Sequence, residues 1–375
     1  MTPDTLVDTD AGELLREVLQ DHVGRPRRLV VLAMSKDENP KTTVMVLPER
    51  ASAPTLAVKV AWTSGARAAV AAEAAALRQV VAADPGLVGD TVPRLIEERQ
   101  DPRGAVMVTT AQRGISLSVD YHRWRHTARP RTVEHDFRCA AGWLDRLALV
   151  PLADVVEVGE SDAAAPGAAL ARKLVARWPA DPVALQLAER VRDSGALVGS
   201  GSSSSVVHGD FWCGNVLRRG GVVSGVIDWE HAAFGGDPVR DRVRFALSYA
   251  LYLDRHTGPG RRVTGHSDLV AGRWGEGVRY AMEGSGWFPR LVQAFVALGL
   301  QQTDRDPGLW RDALLVGLAE VAAGSDHEVF AGRHLALAAS LPTSSVAPAG
   351  SARPPSAVAG PAATSGRSAA RGGIP

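Results

Sequence analysis

Apolar positions along the first third of the chain recur at two different periods. Leu14, Leu15, Val18 and Leu19 fall on one helical face, so residues 10 to 23 read as an amphipathic helix with Asp10 at its cap. Arg27 to Met34, Val44 to Leu47, Thr55 to Trp62, Val92 to Glu97 and Gly104 to Thr110 are short runs rich in Val, Thr and Leu, and read as strands. The Ala-rich run 66 to 82 reads as the helix packed beside them. From residue 114 onward the texture becomes helical, with segments at 132 to 149, 166 to 178, 183 to 193, 268 to 283, 288 to 302 and 308 to 323. In the first of these, the Trp143 and Leu144 stripe reads as core.

The helical region is interrupted at residues 206 to 230, VVHGDFWCGNVLRRGGVVSGVIDWE. Val206 and Val207 end a short apolar strand, and His208, Gly209 and Asp210 break it. Asn215 follows five positions after Asp210, just before Val216 and Leu217 resume a strand. Arg218 to Gly221 read as a turn, Val222 to Ile227 as the returning strand, and Asp228 as its end. Oxygen ligands from Asp210, Asn215 and Asp228 suit a hard cation such as Mg²⁺, and an acid in such a loop can deprotonate a hydroxyl. A competing set, His208, Cys213, Asp228 and His231, has the softness for zinc, but the chain lacks a Cys-x-x-C pair.

Composition narrows the field. The chain has 375 residues, 45% of them hydrophobic and 22% charged, as for a soluble globular protein. A formal net charge of +1 argues against a nucleic-acid or anionic-membrane partner. The two cysteines, Cys139 and Cys213, fit a reducing compartment. The acidic N-terminus lacks a signal pattern, and no apolar run reaches membrane-spanning length, so a cytoplasmic location is expected. Residues 341 to 375 are Pro, Ala, Ser and Gly with three arginines and read as a disordered tail; 199 to 205 reads as a flexible connector.

HGDFWCGN followed by VIDWE closely resembles the aminoglycoside phosphotransferase and choline kinase branch of the protein-kinase-like superfamily. The resemblance implies an α+β, two-lobe fold: a nucleotide-binding lobe at 1 to 111, built on a small antiparallel sheet with one principal helix, a helical catalytic and acceptor-binding lobe at 112 to 340, and the tail. It implies transfer of the γ-phosphoryl group of ATP or GTP to a hydroxyl of an aminoglycoside-like, sugar or amino-alcohol acceptor. Asp210 would be the base, Asn215 and Asp228 the Mg²⁺ ligands. Lys59 would bind phosphate, positioned by Glu73, the one acid in the run 66 to 82. The alternation of the strand allows Lys59 to face solvent instead. The crossing between lobes, placed at Thr110 and Ala111, would meet the adenine, although the letters fit an ordinary linker equally. The chain departs from the family at the phosphate loop: no Gly occurs between Arg25 and Gly65, so Ser35, Thr42 or Thr43 would have to assist by side chain. That departure keeps open a catalytically inactive nucleotide-binding scaffold. Asp237 and Asp241 read as braces for the catalytic loop, and Asp304, Asp306 and Asp312 as a solvated cluster rather than an acceptor surface.

Overall fold

The computed structural model describes residues 10–23, 28–34, 40–48, 52–83, 86, 89–152, 166–199 and 204–342. Ser35 and residues 36–39 of the phosphate loop, Arg27, the side chain of Asp10, residues 200–203 of the connector and the tail beyond 342 lie outside them.

The N-terminal region is a five-stranded antiparallel sheet flanked by two helices. Helix α1 (Asp10–Val23) precedes β1 (Arg28–Met34), β2 (Lys41–Leu47) and β3 (Leu56–Ala61); α2 (Ser64–Ala83) follows, then β4 (Leu95–Asp101) and β5 (Gly104–Thr110). The strands lie in the order β1-β2-β3-β5-β4. Alternation along them creates two apolar faces, since successive side chains point to opposite sides. Val44, Val46, Val58, Val60, Val106 and Val108 form one face and pack on Leu14, Leu15, Val18 and Leu19 of α1. Ala61, Ala105 and Met107 form the other and join a core with Ala66, Val70, Ala74 and Leu77 of α2. Two helices therefore cover the sheet where one principal helix was expected. Strand β4 also begins later than the letters suggested. Pro93, which has no N–H for a ladder, separates buried Val92 from it.

The C-terminal region is mainly helical. A short β6 (Ile115–Ser116) and α3 (Leu117–Tyr121) lead to α4 (Pro130–Leu147), α5 (Pro166–Arg177) and α6 (Pro182–Val198). Strands β7 (Ser205–Val207), β8 (Val216–Arg219), β9 (Val222–Val226) and β10 (Ala233–Gly236) come next, with β8 between β6 and β9, and β10 paired to β7. Gly235 and Gly236 carry a turn signal but lie in β10, where Ala233 pairs with Val207 and Phe234 with Val206. The remaining helices are α7 (Val239–Leu251), α8 (Glu276–Glu283), α9 (Trp287–Gln302), α10 (Trp310–Gly324) and α11 (Glu328–Ser340). The helix expected over 268 to 283 forms only in its second half. Gly275 sits at its N-cap with φ +86, a left-handed conformation that ends any helix entering from before it. Trp143 and Leu144 are buried, as read, and Trp143 stacks on Phe211 with ring centroids 5.3 Å apart. Asp312 is buried rather than solvated and accepts a 2.7 Å hydrogen bond from Ser194 Oγ, whereas Asp306 caps Gly308 N–H at 2.7 Å. No helix among the described residues is long and apolar enough to cross a membrane.

Candidate active site

The hairpin β8–β9 turns on Gly220 and Gly221, with φ of +61 and +83, the two consecutive left-handed residues of a type I′ turn. Arg218 and Arg219 close the strands instead of making the turn. Beyond the ladder, Ile227 N–H donates to Asn215 carbonyl O at 3.0 Å. That bond brings the end of the Asp210–Asn215 loop beside the segment that carries Asp228.

The loop itself is held by a buried polar network. Gly209 has φ +81, and a Cβ there would lie 2.0 Å from the carbonyl oxygen of His231, so no other residue fits. His208 Nδ1 accepts Asp210 N–H at 3.3 Å while Nε2 faces Ile227 carbonyl O at 3.0 Å, which assigns the ring proton to Nε2. Burial drives the imidazole pKa down to about 4, against the pull of Asp210, so the ring is neutral at pH 7. Asp241 accepts the N–H groups of His208 at 2.7 Å and of Gly209 at 2.9 Å. Burial pushes its carboxyl up to about 7, and those two donors hold it from rising further. Asp237 accepts Val239 N–H at 2.9 Å and the two terminal guanidinium nitrogens of Arg305 at 2.7 and 2.9 Å. Both acids brace the site.

Asp210 is gripped on both carboxylate oxygens. Asn215 Nδ2 donates to its Oδ2 and to its carbonyl O, each at 3.0 Å. Arg244 of α7 donates to Oδ1 through Nε at 3.0 Å and Nη2 at 2.7 Å.

On the sheet side, Lys59 pairs with Met107 across β3 and β5 and shares its face. The alternation therefore turns it inward rather than to solvent. Its Nζ lies 2.5 Å from Glu73 Oε2 and also forms an ion pair with Asp228 Oδ1. Burial alone would depress the ammonium; Glu73 and then Asp228 more than reverse that, and the charged form is held. Withdrawal from solvent opposes ionisation of Asp228, but Lys59 outweighs it and keeps the carboxyl below its usual range. At Glu73 the balance goes the other way: burial pushes the carboxyl up, and Lys59 only partly pulls it back. Asp228 adopts φ +66, a left-handed conformation that costs about 1 kcal/mol or more in a non-glycine residue. Its ties hold it there.

Lys59, Glu73 and Asp228 border a cavity of about 1110 Å³ between the sheet and the hairpin, walled also by Thr43, Thr110 and Gln112. Thr43 lies opposite Lys59, whereas Thr42 is fully buried on the α1 face and faces away from the cavity. Of the two crossing residues, Thr110 lines the cavity. Thr110 N–H donates to Arg94 carbonyl O and Ala111 N–H to Thr55 carbonyl O, both at 2.9 Å, so neither amide is free for a base. Ala111 is also absent from the cavity wall, where Gln112 takes the next place.

The residues present fit a magnesium ion. Asn215 turns its Nδ2 toward Asp210, which leaves Oδ1 as its acceptor atom, and Asp228 supplies an ionised carboxylate. The zinc alternative does not assemble. Both ring nitrogens of His208 are engaged, burial holds the Cys213 thiol protonated, and no three His, Cys, Asp or Glu side chains among the described residues are grouped to share a metal.

Several contacts had no signature in the sequence. Lys41 of β2, on the same face as Thr43, forms an ion pair with Glu230, so two neighbouring strands grip two acids of the segment 228–230. Asp136, fully buried on α4, gathers Arg218, His126 at 2.6 Å and the Tyr249 hydroxyl at 2.9 Å, tying β8 to α4 and α7. Arg244 was one arginine among many. The apolar face of α7 placed it within a turn of Asp241, and that spacing was the one available hint.

The family model described as "Phosphotransferase enzyme family" matches residues 41–260, more than half of the chain. The chain belongs to the phosphotransferase enzyme family. The resemblance read from HGDFWCGN and VIDWE is thereby borne out, and the protein is a phosphotransferase. Its fold is similar to that of macrolide 2′-phosphotransferase MphH from Brachybacterium faecium, at 18% identity and a TM-score of 0.50 over 88% of this chain and 98% of that one. Aminoglycoside phosphotransferase APH(3'')-Id from Streptomyces rimosus ATCC10970 matches at 17% identity and a TM-score of 0.48, over 82% and 97% of the two chains. No curated protein matches this phosphotransferase significantly. The kinase-like architecture of antiparallel sheet and helical region agrees with the fold implied by the hairpin.

Proposed function

We propose that this phosphotransferase moves the γ-phosphoryl group of ATP to a hydroxyl of a small-molecule acceptor. The observation that carries the reading is the Lys59–Glu73–Asp228 chain of charges on the floor of the cavity, next to the Asp210–Asn215 loop. Residues up to 111 form the nucleotide side in this reading, and residues 112 to 340 carry the base and the acceptor site.

Nucleotide entry exchanges the Lys59–Asp228 ion pair for phosphate. Lys59, kept charged and aimed by Glu73, then binds the α- and β-phosphate oxygens as a point charge. Asn215 and Asp228 would hold magnesium, which when bound would neutralise charge on the phosphate oxygens. Asp210 accepts a hydrogen bond from the acceptor hydroxyl and takes its proton. A bond forms between that oxygen and the γ-phosphorus as the bond to the bridging oxygen breaks, and the electron pair leaves with ADP. Neutral His208 keeps the loop in register without adding charge beside the base. Charge placement and alignment supply most of the acceleration, because the transferring group makes few covalent demands on the protein.

The test is ADP formation by the purified protein with ATP and a panel of hydroxyl compounds, with and without Mg²⁺. Magnesium-dependent ADP formation stimulated by at least one acceptor is expected. Tight ATP–Mg²⁺ binding with no stimulation by any class of acceptor would favour the inactive scaffold instead.

A further inference from the structure

Strand β2 carries a second ammonium past the wall of the cavity. Along β2, Lys41, Thr43 and Met45 alternate with Thr42, Val44 and Val46, which are buried on the α1 face. Thr43 and Met45 wall the cavity, so Lys41 continues that face beyond them. The ladder fixes where it stands. Leu56 of β3 lies opposite Thr110 at the crossing, Lys59 opposite Thr43, and Ala61 opposite Lys41. From the crossing outward the order is therefore Thr110, Lys59, Lys41, with Lys41 about 7 Å beyond Thr43 along β2. There it meets Glu230, two residues past Asp228, in an ion pair whose side chains are 16% and 18% exposed. Burial raises the Asp228 carboxyl, while Lys59 and, less strongly, Lys41 pull it down, so the charge on Lys41 is felt at the candidate metal ligand.

A nucleotide with its base at the crossing and its α- and β-phosphates at Lys59 has its terminal phosphate on the side of Lys41. Glu230 does not exhaust the ammonium. A lysine carries three N–H donors, and Lys59 already serves Glu73 and Asp228 together. Lys41 can thus keep Glu230 and turn a further N–H to a phosphate oxygen, as a compact charge that meets partners from several directions. No Gly between Arg25 and Gly65 eases the approach of backbone to a phosphate at this end, which leaves side chains to make the contact. Resting on the phosphotransferase reading above, we propose that Lys41 binds the terminal phosphate of the nucleotide and that Glu230 positions it. Lys41 thereby distinguishes the triphosphate from the diphosphate left after transfer: the donor gains a contact that the product cannot make.

Calorimetry with ATP–Mg²⁺ and ADP–Mg²⁺ tests the assignment, since the two nucleotides differ only in the group that Lys41 would touch. In Lys41→Met, ATP affinity should fall about 10- to 100-fold, the worth of a charge-assisted contact, while ADP affinity stays within about 3-fold of the wild type. Equal losses for both nucleotides, or no loss for either, overturn the proposal and leave phosphoryl transfer standing; a Lys41 that only braces the sheet gives that pattern. Lys41→Met also leaves Glu230 unpaired, and its repulsion alone would disfavour the longer phosphate chain. Lys41→Met combined with Glu230→Gln removes that charge. A loss selective for ATP, of about 10-fold or more, that persists in the double variant supports the contact. Recovery of wild-type ATP affinity there overturns it. Should Lys41→Met fail to fold, Lys41→Gln, which keeps a polar group toward Glu230, carries the same comparison. A wild-type protein that binds neither nucleotide would overturn the phosphotransferase reading itself, and this inference with it.

Discussion

The two carboxylates flanking the β8–β9 hairpin, Asp210 and Asp228, are anchored from opposite sides. Asp228 is tied to Lys59, a compact ammonium from the sheet that is itself held by Glu73. Asp210 is tied to Arg244, a guanidinium from the helical region, and to the amide of Asn215. The two ties differ in form: an ammonium is a compact point charge that can meet an oxygen from any direction, whereas a guanidinium is a planar fork of N–H donors.

Four experiments break or sharpen that contrast. The largest effect is expected at Asp228. In Asp228→Ala, Mg²⁺-dependent nucleotide binding should vanish in calorimetry, and Lys59 should shift its pairing wholly to Glu73. Nucleotide binding that survives the substitution unchanged would refute the metal role of Asp228. At Asp210, the Asp210→Asn variant should bind ATP–Mg²⁺ as before and lose about 10² to 10⁴ in kcat, the range for removal of a positioned base. A rate close to wild type would sink the base assignment.

The third test concerns pH. His208 and His334 are buried neutral, each with a pKa brought down to about 4 by burial. Their unfolded value is near 6.5, so between those limits the unfolded chain binds more protons and stability falls as pH is lowered. Each histidine accounts for up to about 3 kcal/mol across that window. His334, which meets Phe330 carbonyl O at 2.9 Å far along α11, is the cleaner probe. Urea unfolding at several pH values should show a shallower acid slope in His334→Gln than in wild type; equal slopes would contradict the buried-neutral assignment. The smallest effect is expected at the second sheet-to-hairpin tie. A double-mutant cycle of Lys41→Met and Glu230→Gln should give a coupling of about 1 kcal/mol in stability, as for a partly exposed pair. Additive effects would mean that Lys41 adds nothing to the tie that Lys59 makes between the sheet and the 228–230 segment.

The hairpin was legible because its constraints are local. Asp210 and Asn215 are five residues apart, and a strand, a two-residue turn and a strand fix where Asp228 returns. Lys59 and Glu73 were legible by position, a lysine inside an apolar strand and one acid in an alanine-rich helix. The crossing was only partly legible: Thr110 does wall the cavity, but the N–H groups of Thr110 and Ala111 are taken up by Arg94 and Thr55, residues distant in sequence. The second covering helix of the sheet was not anticipated in that role, since α1 showed its apolar face without showing what it would cover. The sheet pairing of β10 went unread for a similar reason: Gly235 and Gly236 carry a turn signal, and Ser205 of β7, the partner of Gly236, is distant in sequence.

The amino-acid sequence by itself determined the periodicities, and so the sheet and the helices, and it determined the chemistry of the hairpin, whose spacing leaves few places for its oxygens to go. It also settled that backbone glycine would be missing from the phosphate loop. Tertiary structure alone decided which cations meet those oxygens. Lys59 with Asp228, Lys41 with Glu230 and Arg244 with Asp210 are separated by 169, 189 and 34 positions. Side-chain charge has no period along a chain and no local geometry of its own, so its partner is chosen only when whole elements pack.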